Sequence, residues 1–155
     1  MVRPVPAAAV RPLRLDVLRP GQPPAAAVYP GDDDLETVHW AAEAGGDVVG
    51  VASLYAEPRA GGPRPGWRLR GMATALPFRG AGVGGALLRA CLDHVGGHGG
   101  GELWCNARVT ATAFYHRHGF EVVGEPFDIE GIGRHEVMRR PIPSAAEVAC
   151  GDGRS

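Results

Sequence analysis

Apolar residues along this chain recur with two periods. Across residues 82–95 they stand at Val83, Ala86, Leu87, Ala90 and Cys91, and beside these at Leu88, Leu92 and Val95. Steps of three and four predict a helix with one broad apolar face, suited to lying on a sheet. The run Gly96-Gly97-His98-Gly99-Gly100-Gly101 ends it. Two strand-like runs at 37–42 and 48–55, joined through Glu43-Ala44-Gly45-Gly46-Asp47, predict a β-hairpin. Residues 67–76 alternate as a third strand, 102–105 form a short fourth, and 120–123 with 134–140 form a last pair. A helix is expected over 7–18, with Pro12 in its first turn or at a kink. Asn106 is the expected N-cap of a helix over 107–118, with Gly119 as its C′ residue. Residues 22–34 and 57–66 read as loops, the second mobile, and 144–155 as a disordered tail. Strands and helices interspersed in this order predict an α/β or α+β domain over 1–143, with helices on a central sheet.

Composition narrows the partners. A chain of 155 residues, 45% hydrophobic and 21% charged, suits one domain with its own core. The formal net charge is −1, and all 16 basic residues are arginines without a run of them. Such a chain carries no field to gather nucleic acid or an anionic membrane, so neither is expected as a partner. Three cysteines at positions 91, 105 and 150, without tight spacing, fit a reduced compartment. The N-terminus lacks the unbroken apolar region of a secretion signal, and no stretch approaches the ~20 apolar residues of a membrane span. A cytoplasmic location is expected.

The chemistry concentrates at Phe78-Arg79-Gly80-Ala81-Gly82-Val83-Gly84-Gly85-Ala86-Leu87-Leu88, between a strand and the apolar-faced helix. Glycines there let the backbone approach a bound group, and a helix N-terminus offers unpaired N–H donors to an anion. Arg79 adds a full positive charge, so a phosphate or diphosphate is the expected guest. Gly80-x-Gly82-x-x-Gly85 satisfies the dinucleotide-binding fingerprint, which wants an acid at the end of the next strand. Cys105-Asn106 stand there, and Glu102 lies at the strand's start, so a nicotinamide-dependent oxidoreductase is the weaker reading.

Arg79-x-x-Gly82-x-Gly84 resembles the coenzyme A pyrophosphate motif, Arg/Gln-x-x-Gly-x-Gly/Ala, of the Gcn5-related N-acetyltransferase (GNAT) superfamily. Downstream, Ala111-Thr-Ala-Phe114-Tyr115-His-Arg-His-Gly119-Phe120 resembles that superfamily's Ala-x-x-Phe/Leu-Tyr-x-x-x-Gly-Phe. The likeness covers residues 35–140, with Arg108 where many members carry Asn. It implies the GNAT acyl-CoA N-acyltransferase fold with a mixed, mainly antiparallel central sheet. It also implies an enzyme that passes an acetyl group from acetyl-CoA to an amine by direct attack. The coenzyme would lie on the backbone of Met72, Ala73 and Thr74 and on Arg79, Gly80, Ala81, Gly82, Val83, Gly84 and Gly85.

Amide formation from a thioester needs a neutral amine and a proton for the departing thiolate. An amine has a pKa of about 10 and a thiol about 8.5, so deprotonating the amine is the harder task near neutrality. By resemblance Tyr115 is the general acid. Candidates for the base are His39 and Glu43 on an earlier strand and His135 after a glycine-rich turn, since an imidazole titrates near neutrality; bulk water is a fourth. Cys91, His94 and His98 share a helix face but lack a fourth ligand, so no metal is expected. The acceptor, a small-molecule or peptide amine, is undetermined, and a homodimer is left open. A non-catalytic acyl-CoA-binding module of the same fold is the alternative.

Overall fold

A computed structural model of the chain describes residues 1–147. The strands are β1 (Val2–Val5), β2 (Val38–Ala44), β3 (Asp47–Tyr55), β4 (Gly66–Thr74), β5 (Gly101–Arg108), β6 (Glu121–Ile129) and β7 (Gly133–Ile142). The α-helices are α1 (Ala7–Leu13), α2 (Val83–Gly97) and α3 (Thr112–Arg117). Hydrogen bonds order the strands β1-β2-β3-β4-β5-β7-β6. The β1–β2, β2–β3, β5–β7 and β6–β7 ladders are antiparallel, and β4–β5 is parallel. The expected mixed α/β sheet with helices is therefore present. The chain divides into two compact units, Met1–Ala56 with Leu69–His94, and Glu57–Arg68 with the described residues from Val95 onward.

In the first unit, strand alternation decides which helix covers which face. Val51 on β3 is buried with Val10 of α1, Ala41 and Ala73. Its neighbour Gly50 points the other way: a Cβ there would meet Val83 Cγ1 at 2.4 Å and Leu87 Cδ1 at 3.0 Å. Successive strand residues face opposite sides, so α1 covers one face and the start of α2 the other. Leu87, Leu88 and Cys91 of α2 are fully buried, as the helical period predicts. Each buried leucine stabilises by about 1.5–3 kcal/mol.

Two elements of this unit differ from expectation. The N-terminal helix stops at Leu13 and widens into a single π turn, Arg14–Leu18, where Arg19 N–H donates to Arg14 O at 3.2 Å. Pro12 inside α1 has no N–H for the helical ladder, and the register loosens after it. Val2–Val5, read above only as lacking a leader's apolar run, is an edge strand paired to β2. Pro4 is tolerated because one side of an edge strand makes no ladder bonds.

In the second unit β5 runs on to Arg108, and Asn106 pairs with Val137 of β7. Asn106 is thus a strand residue and not the expected N-cap. A 3-10 turn, Val109–Ala111, precedes the short α3. Gly119 ends that helix as expected, at φ +86°, while Phe120 N–H reaches back to Tyr115 O at 3.0 Å. The loop expected to be mobile is fastened: Arg59 Nε donates to the buried Glu102 at 2.8 Å, and Trp104 Nε1 donates to Glu57 O at 2.8 Å. Arg139 also reaches Glu102, at 3.3 Å. Of the expected tail, Ser144 Oγ accepts from Ala146 N–H at 3.2 Å; residues 148–155, Cys150 among them, lie outside the described residues.

Candidate functional site

The glycine-rich turn belongs to the first unit. After β4, a 3-10 turn over Leu76–Phe78 leads to Arg79, and Gly80, Ala81 and Gly82 are exposed. Gly80 and Gly82 adopt φ +82° and +83°. This left-handed backbone costs any L-side chain, so glycine is required although nothing lies within 4 Å of either Cβ position. The first helical hydrogen bond of α2 runs from Ala86 N–H to Gly82 O at 3.1 Å. The N–H groups of Val83, Gly84 and Gly85 precede it and have no helical acceptor. Several donors thus stand at the mouth of a fifteen-residue helix, on an open, exposed turn. Arg79 Nε donates to Thr74 O at 3.3 Å, tying the guanidinium to the end of β4. These donors fit a diphosphate. On β4 itself Ala73 is a core residue, whereas Met72 and Thr74 are half-buried.

The second unit carries two of the expected reactive side chains. Tyr115 on α3 is buried, with its ring edge-on to Phe114 and Phe120 at 5.1 and 5.4 Å. Its hydroxyl hydrogen-bonds the Cys105 thiol of β5; burial pushes that thiol up to about 12, against the opposing effects of Tyr115 and Arg68. His135 on β7 is buried, stacks on Phe127 at 5.8 Å, and places Nδ1 2.8 Å from Gly133 O. A carbonyl only accepts, so Nδ1 carries the proton in the neutral ring and Nε2 keeps the lone pair.

His39 sits differently. Its Nε2 donates to Asp32 O at 2.9 Å, and its Nδ1 lies 2.6 Å from Ser53 Oγ. Both nitrogens are engaged inside a polar network on the α1 side of the first unit. At its centre Arg14, fully buried, donates to both oxygens of Asp32 (2.8 and 3.0 Å), Ser53 Oγ (2.8 Å), Tyr55 OH (3.0 Å) and Ala27 O (2.9 Å). Asp32 also accepts from Tyr55 OH at 2.6 Å and Tyr29 N–H at 3.0 Å. Burial alone would raise the Asp32 carboxyl, but these donors outweigh it and hold it well below the usual carboxylate range. Burial and Asp32 together push the Tyr55 hydroxyl up. The motif reading missed this network, although Arg14 falls on the apolar stripe of Val10, Leu13 and Val17. Glu43, the remaining candidate base, pairs with Arg3 of β1.

Among the described residues no group of three or more His, Cys, Asp and Glu side chains is placed to hold a metal ion. No described helix is long and apolar enough to cross a membrane.

Comparison with known proteins places this geometry. Residues 30–139 match the family model described as an acetyltransferase (GNAT) domain. An uncharacterized N-acetyltransferase of Bacillus subtilis (strain 168), YitI, is 32% identical over 137 residues, covering 84% of this chain and 88% of that one. Among solved structures, Escherichia coli ElaA superposes with a TM-score of 0.75 at 19% identity, over 90% of this chain and 98% of its own. An aminoglycoside 6′-N-acetyltransferase solved with coenzyme A gives 0.72 at 12% identity, over 91% and 96%.

Proposed function

We propose that this chain, which belongs to the GNAT acetyltransferase family, transfers an acetyl group from acetyl-CoA to the amine of an acceptor by direct attack. The observation that carries the reading is the open turn at residues 79–85, with two left-handed glycines and the unspent amides of Val83, Gly84 and Gly85. These amides and Arg79 bind the diphosphate, and the backbone of Met72, Ala73 and Thr74 aligns the pantetheine arm. When bound, acetyl-CoA supplies the activated acetyl group.

The protein's own groups handle the protons. Tyr115 gives its hydroxyl proton to the departing thiolate. The Nε2 lone pair of His135 takes the proton from the amine, directly or through water. His39 is left to structure, because its two nitrogens already have partners.

The test is Tyr115→Phe. Free coenzyme A release with an amine panel should fall by about 10²-fold or more, the usual worth of a positioned general acid. Calorimetric affinity for coenzyme A should be retained. Undiminished turnover removes Tyr115 from the chemistry, and no turnover by the native chain on any amine, with coenzyme still bound, favours the non-catalytic module.

A further inference from the structure

The first unit holds a cluster that takes no part in the proton transfers or coenzyme contacts described above. The buried Tyr29 ring has the guanidinium carbon of Arg14 4.1 Å from its centroid, that of Arg70 at 4.2 Å and that of Arg19 at 5.9 Å. Arg11 stands 3.6 Å from Asp32, whose carboxylate is already held on both oxygens by Arg14. Arg19 donates to Leu18 O and forms no ion pair among the described residues. Three guanidinium groups thus meet at the Tyr29 ring, and the Asp32 carboxylate beside them is approached by Arg14 and Arg11 and already held on both oxygens by Arg14.

Two further observations point to a missing acceptor. The Nε atoms of both Arg11 and Arg14 are buried without a hydrogen-bond partner. A buried donor left so is uncommon and marks a place where an oxygen is expected. Beside Arg14 Nε stands Gly71 at φ +65°, where a Cβ would lie 2.9 Å from that nitrogen and 3.2 Å from Tyr29. The left-handed step breaks the strand alternation, so Arg70 and the bare side of Gly71 both address Tyr29. Met72, where the pantetheine arm is to align, is the next residue.

Resting on the acetyl-transfer reading, we propose that the acceptor amine carries a carboxylate, as an amino acid does, and that the guanidinium cluster around Tyr29 holds it. Arg19 and Arg70 supply planar forks that match a carboxylate with two hydrogen bonds. The aromatic ring between them keeps the cations fixed and partly desolvated, which strengthens their pull on an anion.

The test compares amino acids with their amides, and aminoalkyl phosphates with both, as acceptors and as ligands of the native chain. Turnover is read as coenzyme A release and binding by calorimetry. At least one acid should exceed its amide tenfold or more in kcat/KM or affinity, and Arg70→Met or Arg19→Met should cut that ratio at least tenfold. Arg19 is half-buried at the end of the π turn, so Arg19→Met keeps the test open should Arg70→Met not fold. The proposal is overturned if no acid outperforms its amide, if the phosphates outperform the acids, or if the ratio survives both substitutions. Failure of the acetyl-transfer reading shows separately, as failure to bind coenzyme A.

Discussion

Alanine at position 82 separates backbone conformation from every other property of the glycine-rich turn. Gly82 stands at φ +83°, and no heavy atom lies within 4 Å of its Cβ position. The added methyl group therefore meets nothing, and the whole effect is the cost of a left-handed L-residue, about 1–2 kcal/mol. The turn is exposed and nothing packs against that position to enforce the strained geometry. The variant should relax its φ in the free state and recover the left-handed form only on binding. Since 1.4 kcal/mol is a factor of ten, coenzyme A affinity should fall about 5–30-fold.

Calorimetric titration with coenzyme A measures this, with pantetheine, which lacks the diphosphate, as the control. Pantetheine affinity should stay within twofold, and the unfolding midpoint should move little. D-Alanine at position 82, introduced by semisynthesis, prefers positive φ and should restore the native affinity. Coenzyme A affinity within twofold of native in the L-alanine variant would refute the argument that these amides, in this conformation, grip the diphosphate.

Three other substitutions test the supporting structure. Asp32→Asn removes the charge that compensates the buried Arg14, a loss of about 3–5 kcal/mol at neutral pH. The folded-state carboxyl titrates below its ordinary value, so the native contribution is complete above about pH 5 and is lost as pH falls toward the folded pKa. Urea midpoints between pH 7 and pH 3 should therefore decline less steeply in the variant, and parallel curves would exclude this linkage. Glu102→Ala leaves Arg59 and Arg139 facing an empty site; a loss near 3 kcal/mol lowers the thermal midpoint by about 6–12 °C, and an unchanged midpoint would dissolve the fastening role. Gly50→Ala forces a Cβ to within 2.4 Å of Val83, costing about 1–3 kcal/mol and weakening coenzyme A binding because Val83 opens α2. Val83→Ala should restore both properties in the double variant, and no recovery would place the clash elsewhere.

Elements governed by local period were legible in the sequence. The broad apolar face of α2 and the β2–β3 hairpin each follow from neighbours a few residues apart. Asn106 was misread because a capping residue before Ala107 is an equally local signal, and it lost to a distant one. The β5–β7 ladder runs on to Arg108 and His135, two positions beyond Asn106. Ala107, buried one step beyond it, continues the strand pattern. The four-residue β1 exists only because β2 offers an edge, and Pro4 disguises it. The Arg14 network joins residues up to 41 positions apart, so no period announces it. Its trace in the sequence is an arginine on an apolar stripe, followed by a loop rich in aspartate.

The two histidines singled out as candidate bases show how neighbours give one residue type two different settings. A backbone carbonyl can only accept, so whichever ring nitrogen it touches must carry hydrogen. For His39 that nitrogen is Nε2, and Nδ1 then accepts from Ser53, whose own oxygen accepts from Arg14. Adding a proton to His39 would require Ser53 to turn its hydroxyl away, with the Arg14 cation already donating to the same oxygen. For His135 the carbonyl touches Nδ1 instead, and among the described residues no charged partner contacts the ring. Its Nε2 meets no hydrogen-bond partner among the described residues. The network that fixes the first unit's interior therefore occupies both nitrogens of His39, which is why the proposed base is His135.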